Sequence, residues 1–157
     1  MRLPPWRLIL LLNLAVMTAL LLACAKKFPT MDEQKMQVRD GQLIMHRLSS
    51  RAVLDVWGPP TYERREQMQF FTLENGTYVP FFRVPLGEAP AGWDNGVVSG
   101  EAVFLAYVDR GELLAFLDDR LVYREQMPGE SLHRIGKKWE KEDRLKTPLE
   151  KSLAPQR

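Results

Sequence analysis

The fold is decided by residues 102–124, which have the sequence AVFLAYVDRGELLAFLDDRLVYR. Asp109-Arg110-Gly111 and Asp118-Asp119-Arg120 have the composition of turns and divide the stretch into apolar and aromatic runs. The runs predict antiparallel strands at Ala102–Val108, Glu112–Leu117 and Leu121–Arg124. The alternative is one helix over 101–117, which Gly111 would destabilise by about 1 kcal/mol relative to alanine. The strand interpretation is therefore favoured.

A short helix is predicted upstream of these strands. Ser49 or Ser50 can accept hydrogen bonds from the free backbone N–H groups at its start. Its apolar residues, Ala52, Val53, Val56 and Trp57, share one face. Gly58 supplies a left-handed stop, and Pro59-Pro60 cannot continue a helix. We expect this helix to pack on one sheet face, with a core that includes Trp57, Phe70, Phe104, Leu114 and Phe116.

Further strands are expected between the helix and residue 102. Gln67–Leu73 is rich in aromatic residues, and Asn75-Gly76 is a strong signal for a tight turn. Tyr78–Val84 is predicted to pair with Gln67–Leu73, and Pro80 should confine it to the edge of the sheet. The four glycines and Pro90 of Gly87–Gly100 predict a loop, in which Trp93 is exposed or folded back.

The N-terminus has the features of an export signal. Arg2 and Arg7 are followed by a short apolar run over Leu8–Ala23, nearer in length to a secretory signal than to the roughly 20 apolar residues of a spanning helix. The sequence Leu21-Leu22-Ala23-Cys24 resembles the lipobox of bacterial lipoprotein signals, in which the cysteine is acylated after cleavage. An uncleaved anchor is the alternative.

The resemblance implies an anchored protein. A cysteine with several acyl chains would hold the chain stably on a membrane. Ala25 follows the cysteine where an Asp is typical of retention at the inner membrane, so the periplasmic face of the outer membrane is the expected location. The predicted organisation is a signal peptide at 1–23, lipidated Cys24 with a polar tether at 24–40, an α+β domain at 41–127 and a charged tail at 128–157, partly helical or disordered.

Composition and the scarcity of reactive groups restrict the function. Removing residues 1–23 leaves 20 basic and 20 acidic side chains, and this balance argues against nucleic acid as a partner. His46 and His133 have no i+4 histidine or cysteine partner, so no metal site and no cofactor are expected. Asp118-Asp119 could form a catalytic or metal-binding pair, but adjacent carboxylates on a turn are usually solvated. We therefore expect no enzyme.

The body of the chain resembles the SmpA/OmlA (BamE-like) family of small outer-membrane lipoproteins. The resemblance covers about residues 41–125. It rests on a hydrophobic lead, a capped short helix, a Gly-Pro corner, an aromatic first strand and a closing strand pair, found at Leu43, Leu48, Ser49, Val53, Leu54, Trp57, Gly58, Pro59, Pro60, Phe70, Phe71 and 114–122. It implies an α+β fold with a short helix or helices packed on an antiparallel meander of three to five strands. Residues 76–100 are longer than the connection usual in that family.

Two classes of function follow from these observations. The first is a non-catalytic binding or scaffolding subunit in outer-membrane protein assembly or envelope integrity, with an envelope protein as partner. Its binding residues are expected among the aromatic side chains of 76–100, which are Tyr78, Phe81, Phe82 and Trp93, because aromatics dominate the energetic centres of interfaces. The alternative is an envelope enzyme or small-molecule binder with a pocket under the same stretch.

Overall fold

The computed structural model of the protein describes residues 28–145. Within this range the helices are α1 (Met31–Arg39), α2 (Ser50–Trp57) and α3 (Gly129–Leu145). The strands are β1 (Tyr62–Leu73), β2 (Tyr78–Pro80), β3 (Trp93–Tyr107), β4 (Glu112–Leu117) and β5 (Arg120–Gln126). They form one antiparallel sheet in the order β2-β1-β3-β4-β5. The α+β fold and the strand interpretation of residues 102–124 are confirmed.

The sheet is rolled, because its two edge strands, β2 and β5, contact each other. Its inner face carries a buried cluster with side chains from every strand, including Phe70, Phe104 and Val122. Its outer face carries a second cluster, which includes Leu105, Leu114 and Phe116. Helices α1 and α2 contribute to the outer cluster, and α3 contributes to the inner one. The sheet is therefore a middle layer between helices.

Helix α2 forms as the sequence predicts. The Ser49 side chain accepts a hydrogen bond from the Ala52 backbone N–H at 3.2 Å, and Gly58 ends the helix with a φ of +79°. The Tyr107 hydroxyl then donates to the Gly58 carbonyl at 3.0 Å and holds this corner on β3. Four of the five expected core side chains are buried, whereas Trp57 is only half-buried. Its ring packs edge-on against Tyr107, and the Arg110 guanidinium lies 4.6 Å from its centre.

The prediction of a polar tether over 24–40 is wrong for residues 31–39, which form α1. Thr30 and Glu33 cap the helix reciprocally: the Thr30 backbone N–H donates to Glu33 Oε2 at 2.7 Å. Val38 is buried on its inward side, and so is Gln34. The Gln34 Oε1 accepts from both the N–H and the hydroxyl of Ser49 at 2.8 Å, so a polar side chain joins α1 to the start of α2.

The sequence predicts a charged, partly helical or disordered tail over residues 128–157, and the helical part is present as α3. The prediction is wrong in placing this segment outside the domain. Leu132 and Trp139 are buried in the inner cluster, and Ile135 packs against it. These three residues lie at helical spacing, so the helix presents an apolar stripe to the sheet while its other side carries the charges. The folded domain therefore continues past residue 127, and residues 146–157 lie outside the described range.

Gly136 is a point of close approach between α3 and the sheet. A Cβ atom at this position would lie 2.2 Å from a ring carbon of Tyr62, whose hydroxyl is hydrogen-bonded to His133 Nδ1 at 2.7 Å. We expect Gly136→Ala to lower the free energy of unfolding by about 1–3 kcal/mol, because overpacking forces neighbouring groups apart. Helix propensity alone favours alanine over glycine by about 1 kcal/mol. The sign of the change in chemical denaturation therefore separates the two effects.

The double variant Gly136→Ala/Tyr62→Ala is the control for this contact. Its loss of stability should be smaller than the sum of the two single losses, because the clash is absent when the ring is removed. Additive losses would show that Gly136 does not act through Tyr62.

Candidate functional site

Strands β1 and β3 extend beyond β4 as a ribbon, and β2 adds to it along residues 70–72 of β1. β1 pairs with β3 from Tyr62–Ala106 to Leu73–Trp93, but β4 pairs only with residues 102–107 of β3. Among the described residues, 93–101 of β3 therefore have a strand neighbour on one side only. The prediction of a loop over Gly87–Gly100 is wrong from Trp93 onward.

The glycines that suggested a loop serve close packing instead. A Cβ atom on Gly100 would lie 2.7 Å from Leu117 Cδ1, and one on Gly96 would lie 2.1 Å from Thr72 Oγ1. The Leu117 and Thr72 side chains thus occupy the space that a side chain at either position would take, a known use of glycine where another group approaches closely.

The four predicted binding residues divide between the two faces of this ribbon. Tyr78 stands opposite Thr72 and belongs to the inner cluster, and Phe82 also lies on the inner side, 6.0 Å from Phe104 between ring centres. Phe81 and Trp93 lie on the outer side, where both contact Phe71. The structure thus brings two of the four residues together and places the other two elsewhere.

The outer aromatic cluster consists of Phe71, Phe81, Trp93 and Val97. Phe71 stacks on Phe81 with ring centres 4.1 Å apart, and Trp93 meets Phe71 edge-on at 5.5 Å. The Trp93 indole N–H donates to the Gly96 carbonyl at 2.9 Å, which fixes the ring. Val97 is the strand partner of Phe71 and is 47% exposed, while Phe81 is 37% exposed. An ordered apolar surface therefore borders the uncovered edge of β3.

Sequence reasoning missed Phe71 and Val97 as members of this surface. The available signal was strand alternation, because Phe70 and Phe71 are neighbours in one strand and must point to opposite faces. Phe70 is buried in the inner cluster, so Phe71 falls on the outer face together with its partner Val97.

A cleft of about 390 Å³ opens on the inner side, between α3, the sheet and Phe82. Its lining combines apolar and charged side chains: Arg64, Glu66, Met68, Phe82, Arg83, Leu113, Ile135, Lys138, Trp139 and Glu142. Phe82 at the rim is 51% exposed. From the stretch 76–100, Phe82 and Arg83 contribute to the wall of this cleft.

Several charged groups of the cleft are held in ion pairs. Arg64 forms an ion pair with Glu66 at 2.8 Å and another with Glu142, and the hydrogen bond from Arg64 lowers the pKa of the Glu142 carboxyl below its usual value. Arg83 forms an ion pair with Glu125 at 2.5 Å. These contacts connect β1 to α3 and the segment after β2 to β5, so they organise the walls of the cleft.

The remaining polar candidates are used in local structure. Asp119 Oδ1 accepts hydrogen bonds from the N–H of Ser50 at 2.9 Å and from its hydroxyl at 2.6 Å, and both Asp118 and Asp119 have positive φ in the β4–β5 turn. His46 Nε2 lies 2.5 Å from the Gly76 carbonyl, and His133 contacts Tyr62. Within residues 28–143, no three His, Cys, Asp or Glu side chains are grouped as metal ligands would be.

The predicted lipidation residue, Cys24, lies outside the described residues, and so does the apolar run of the predicted signal. Among the helices of residues 28–145, none has the length and apolar character needed to cross a membrane.

Comparisons with protein-family models, with characterised proteins and with solved structures gave no match to this chain.

Proposed function

We propose that this protein is a lipid-anchored envelope protein that acts as a non-catalytic binding or scaffolding subunit. The proposed location is the periplasmic face of the outer membrane, with the acyl chains on Cys24 as anchor. The resemblance of residues 41–125 to the SmpA/OmlA family favours outer-membrane protein assembly or envelope integrity as the process. The proposed binding surface is the outer aromatic cluster together with the uncovered edge of β3.

The observation that carries this proposal is the position of exposed apolar side chains beside an unpaired strand edge. Phe81 and Val97 remain partly exposed although Phe71 and Trp93 hold them in an ordered cluster. A strand edge offers backbone N–H and C=O groups to another chain, and adjacent side-chain contacts supply specificity. Between Asn95 and Glu101 the edge carries no charged side chain of the kind that protects most edges. An extended segment of a partner protein fits these two features.

The anchor contributes to binding through concentration. A partner on the same membrane meets the domain at a high effective concentration, so a small contact surface gives useful occupancy. This favours a membrane-bound protein as partner.

The test uses a photo-crosslinking amino acid in the full-length protein within its native membranes. We expect a discrete protein adduct from position 81 and none from position 141, an exposed site on α3. Val97→Lys, which places a charge at the edge, should abolish the adduct from position 81 while leaving the melting temperature unchanged, because Val97 is half-exposed.

Three outcomes would contradict the proposal. Equal adducts from positions 81 and 141 would indicate non-specific proximity. An adduct that persists unchanged in the Val97→Lys variant would remove the β3 edge from the binding surface. Loss of the adduct together with a lower melting temperature would assign the cluster to the stability of the ribbon.

The second candidate function is binding of a small molecule in the inner cleft. The observation in its favour is the apolar floor of the cleft, formed by Met68, Leu113 and Trp139 beneath Phe82. A co-purifying small molecule, detected by native mass spectrometry and lost when Ile135→Trp fills the cleft, would favour this candidate over the first.

A further inference from the structure

We infer that the α1 side of the domain rests directly on the bilayer that holds the lipid of Cys24, with Phe28 and Met36 at the headgroup boundary. This inference rests on the proposed lipid anchor and adds to it an orientation and a contact surface for lipid.

The chain between the proposed anchor and the folded body is short. Pro29 and Thr30 are already part of the folded body: the buried Gln34 side chain donates to the Pro29 carbonyl at 2.9 Å, and Thr30 caps α1. Only three residues separate Cys24 from Phe28, and this length of chain spans at most about 14 Å. A tether reaching to residue 40 would have spanned up to about 55 Å. The short connection leaves the domain no room to stand clear of the membrane.

The side of the domain where this connection enters combines exposed apolar residues with arginines. Phe28 is 41% exposed and Met36 is 60% exposed, and both line one shallow depression together with Arg47. The Arg120 guanidinium lies 5.1 Å from the centre of the Phe28 ring. Apolar side chains next to arginines suit the boundary between acyl chains and anionic headgroups.

Charge near the anchor points the same way. The sequence places Lys26 and Lys27 between the anchor and Phe28, where basic side chains attract anionic lipids. Glu33 and Asp40 also line the depression, but the Glu33 carboxylate is held by the cap at Thr30. Apolar contact with basic support, and not a purely basic surface, is the expected mode of binding.

Helices α1 and α3 lie on opposite faces of the sheet. Helix α1 belongs to the outer-face cluster, whereas α3 covers the inner face of the sheet. A domain that rests on α1 therefore directs α3 away from the membrane. Two exposed positions therefore differ in their expected distance from the bilayer: Met36 should lie close to it and Lys141 far from it.

The experiment measures the depth of these two positions in the lipidated, full-length processed protein. Cys24 is the only cysteine and is expected to be blocked by acylation, so Met36→Cys and Lys141→Cys each give a single thiol for a fluorophore. The labelled proteins are reconstituted into vesicles of phosphatidylethanolamine and phosphatidylglycerol that contain a lipid with a nitroxide near its headgroup. We expect quenching at position 36 to be severalfold stronger than at position 141, with unchanged melting temperatures for both variants.

Equal quenching at the two positions, with the protein bound to vesicles, would overturn the inference and leave the anchor intact. A protein crosslink from position 36 in native membranes, without lipid quenching, would give this surface to a protein and also overturn it. Failure of the anchor itself has a different signature. The parent chain would then react with the fluorophore at Cys24, carry no acyl mass and fail to float with vesicles.

Discussion

Phe116→Ala is expected to lower the free energy of unfolding by about 3–5 kcal/mol. Phe116 is 1% exposed and lies in the outer-face cluster, where it meets side chains of α2 and β5. Alanine would remove a ring from a site where the surrounding strands cannot close the cavity. Because the total stability of a domain is typically about 5–15 kcal/mol, the variant should lose a large part of its free energy of unfolding.

Phe82→Ala is the matched control, since it removes the same ring from a side chain that is half-exposed. Its cost should be less than about 1 kcal/mol, in the range of surface substitutions. Both variants are compared with the parent by chemical denaturation. Equal midpoints for Phe116→Ala and the parent would contradict the packing of α2 on the sheet.

If the proposed lipid anchor is correct, Cys24→Ser is expected to abolish acylation and to remove the stable attachment to the membrane. Serine has no thiol to receive the lipid, and each buried methylene of the acyl chains contributes about 0.8 kcal/mol to membrane binding. The product should be either the uncleaved precursor or a chain without acyl mass, as measured by intact mass spectrometry of membrane and soluble fractions.

Ala25→Asp is the control for the cysteine substitution because it leaves the thiol in place. It should retain the full acyl mass while the protein moves from outer-membrane to inner-membrane fractions, as the resemblance to lipoprotein signals implies. A parent protein with the mass of the uncleaved, unacylated chain would falsify the lipoprotein assignment.

The parts of the fold that could be predicted are those fixed by local chemistry. Ser49 and Gly58 mark the ends of α2 because a cap and a positive φ are properties of single residues. Asp109-Arg110-Gly111 and Asp118-Asp119 likewise mark the β3–β4 and β4–β5 connections, where Gly111 and both aspartates have positive φ. Such signals depend on a few neighbouring residues, so they can be recognised without knowing the contacts of the rest of the chain.

The parts that were missed depend on contacts between distant residues. Helix α1 was not predicted because one of its two buried residues, Gln34, is polar. Its side chain finds its hydrogen-bond partners in Ser49 and Pro29. The capping pair Thr30 and Glu33 was present in the sequence and could have indicated the helix. The first half of β3 was not predicted as a strand because its glycines suggested a loop. Gly100 instead packs against the side chain of Leu117, which belongs to another strand.

The candidate site was predicted by residue type but not by arrangement. Composition selected the aromatic side chains of 76–100, and the structure places Phe81 and Trp93 in one cluster and Phe82 over a separate cleft. The faces of Tyr78 and Trp93 are set by the register of β2 and β3 on β1, in which a bulge interrupts the pairing between Phe71 and Leu73. The predicted strand Tyr78–Val84 ends at Pro80, and Phe81 and Phe82 lie in a 3-10 turn that directs them to opposite sides. A register with a bulge cannot be inferred from alternation alone.

The pairing of β1 with β3 also sets the order in which the chain can fold. Glu66 pairs with Ala102 and Tyr62 with Ala106, so the first part of β1 has no partner until synthesis has reached the end of β3, whereas β4 and β5 are joined by a short turn. During that interval this part of β1 is an unpaired strand, the kind of segment that aggregates. The run Glu63-Arg64-Arg65-Glu66 places charges along it, and charged strands resist association with other chains. Two of these charges, Arg64 and Glu66, pair beside the inner cleft once the domain has folded, so we expect the same side chains to serve the unpaired strand first and the cleft later.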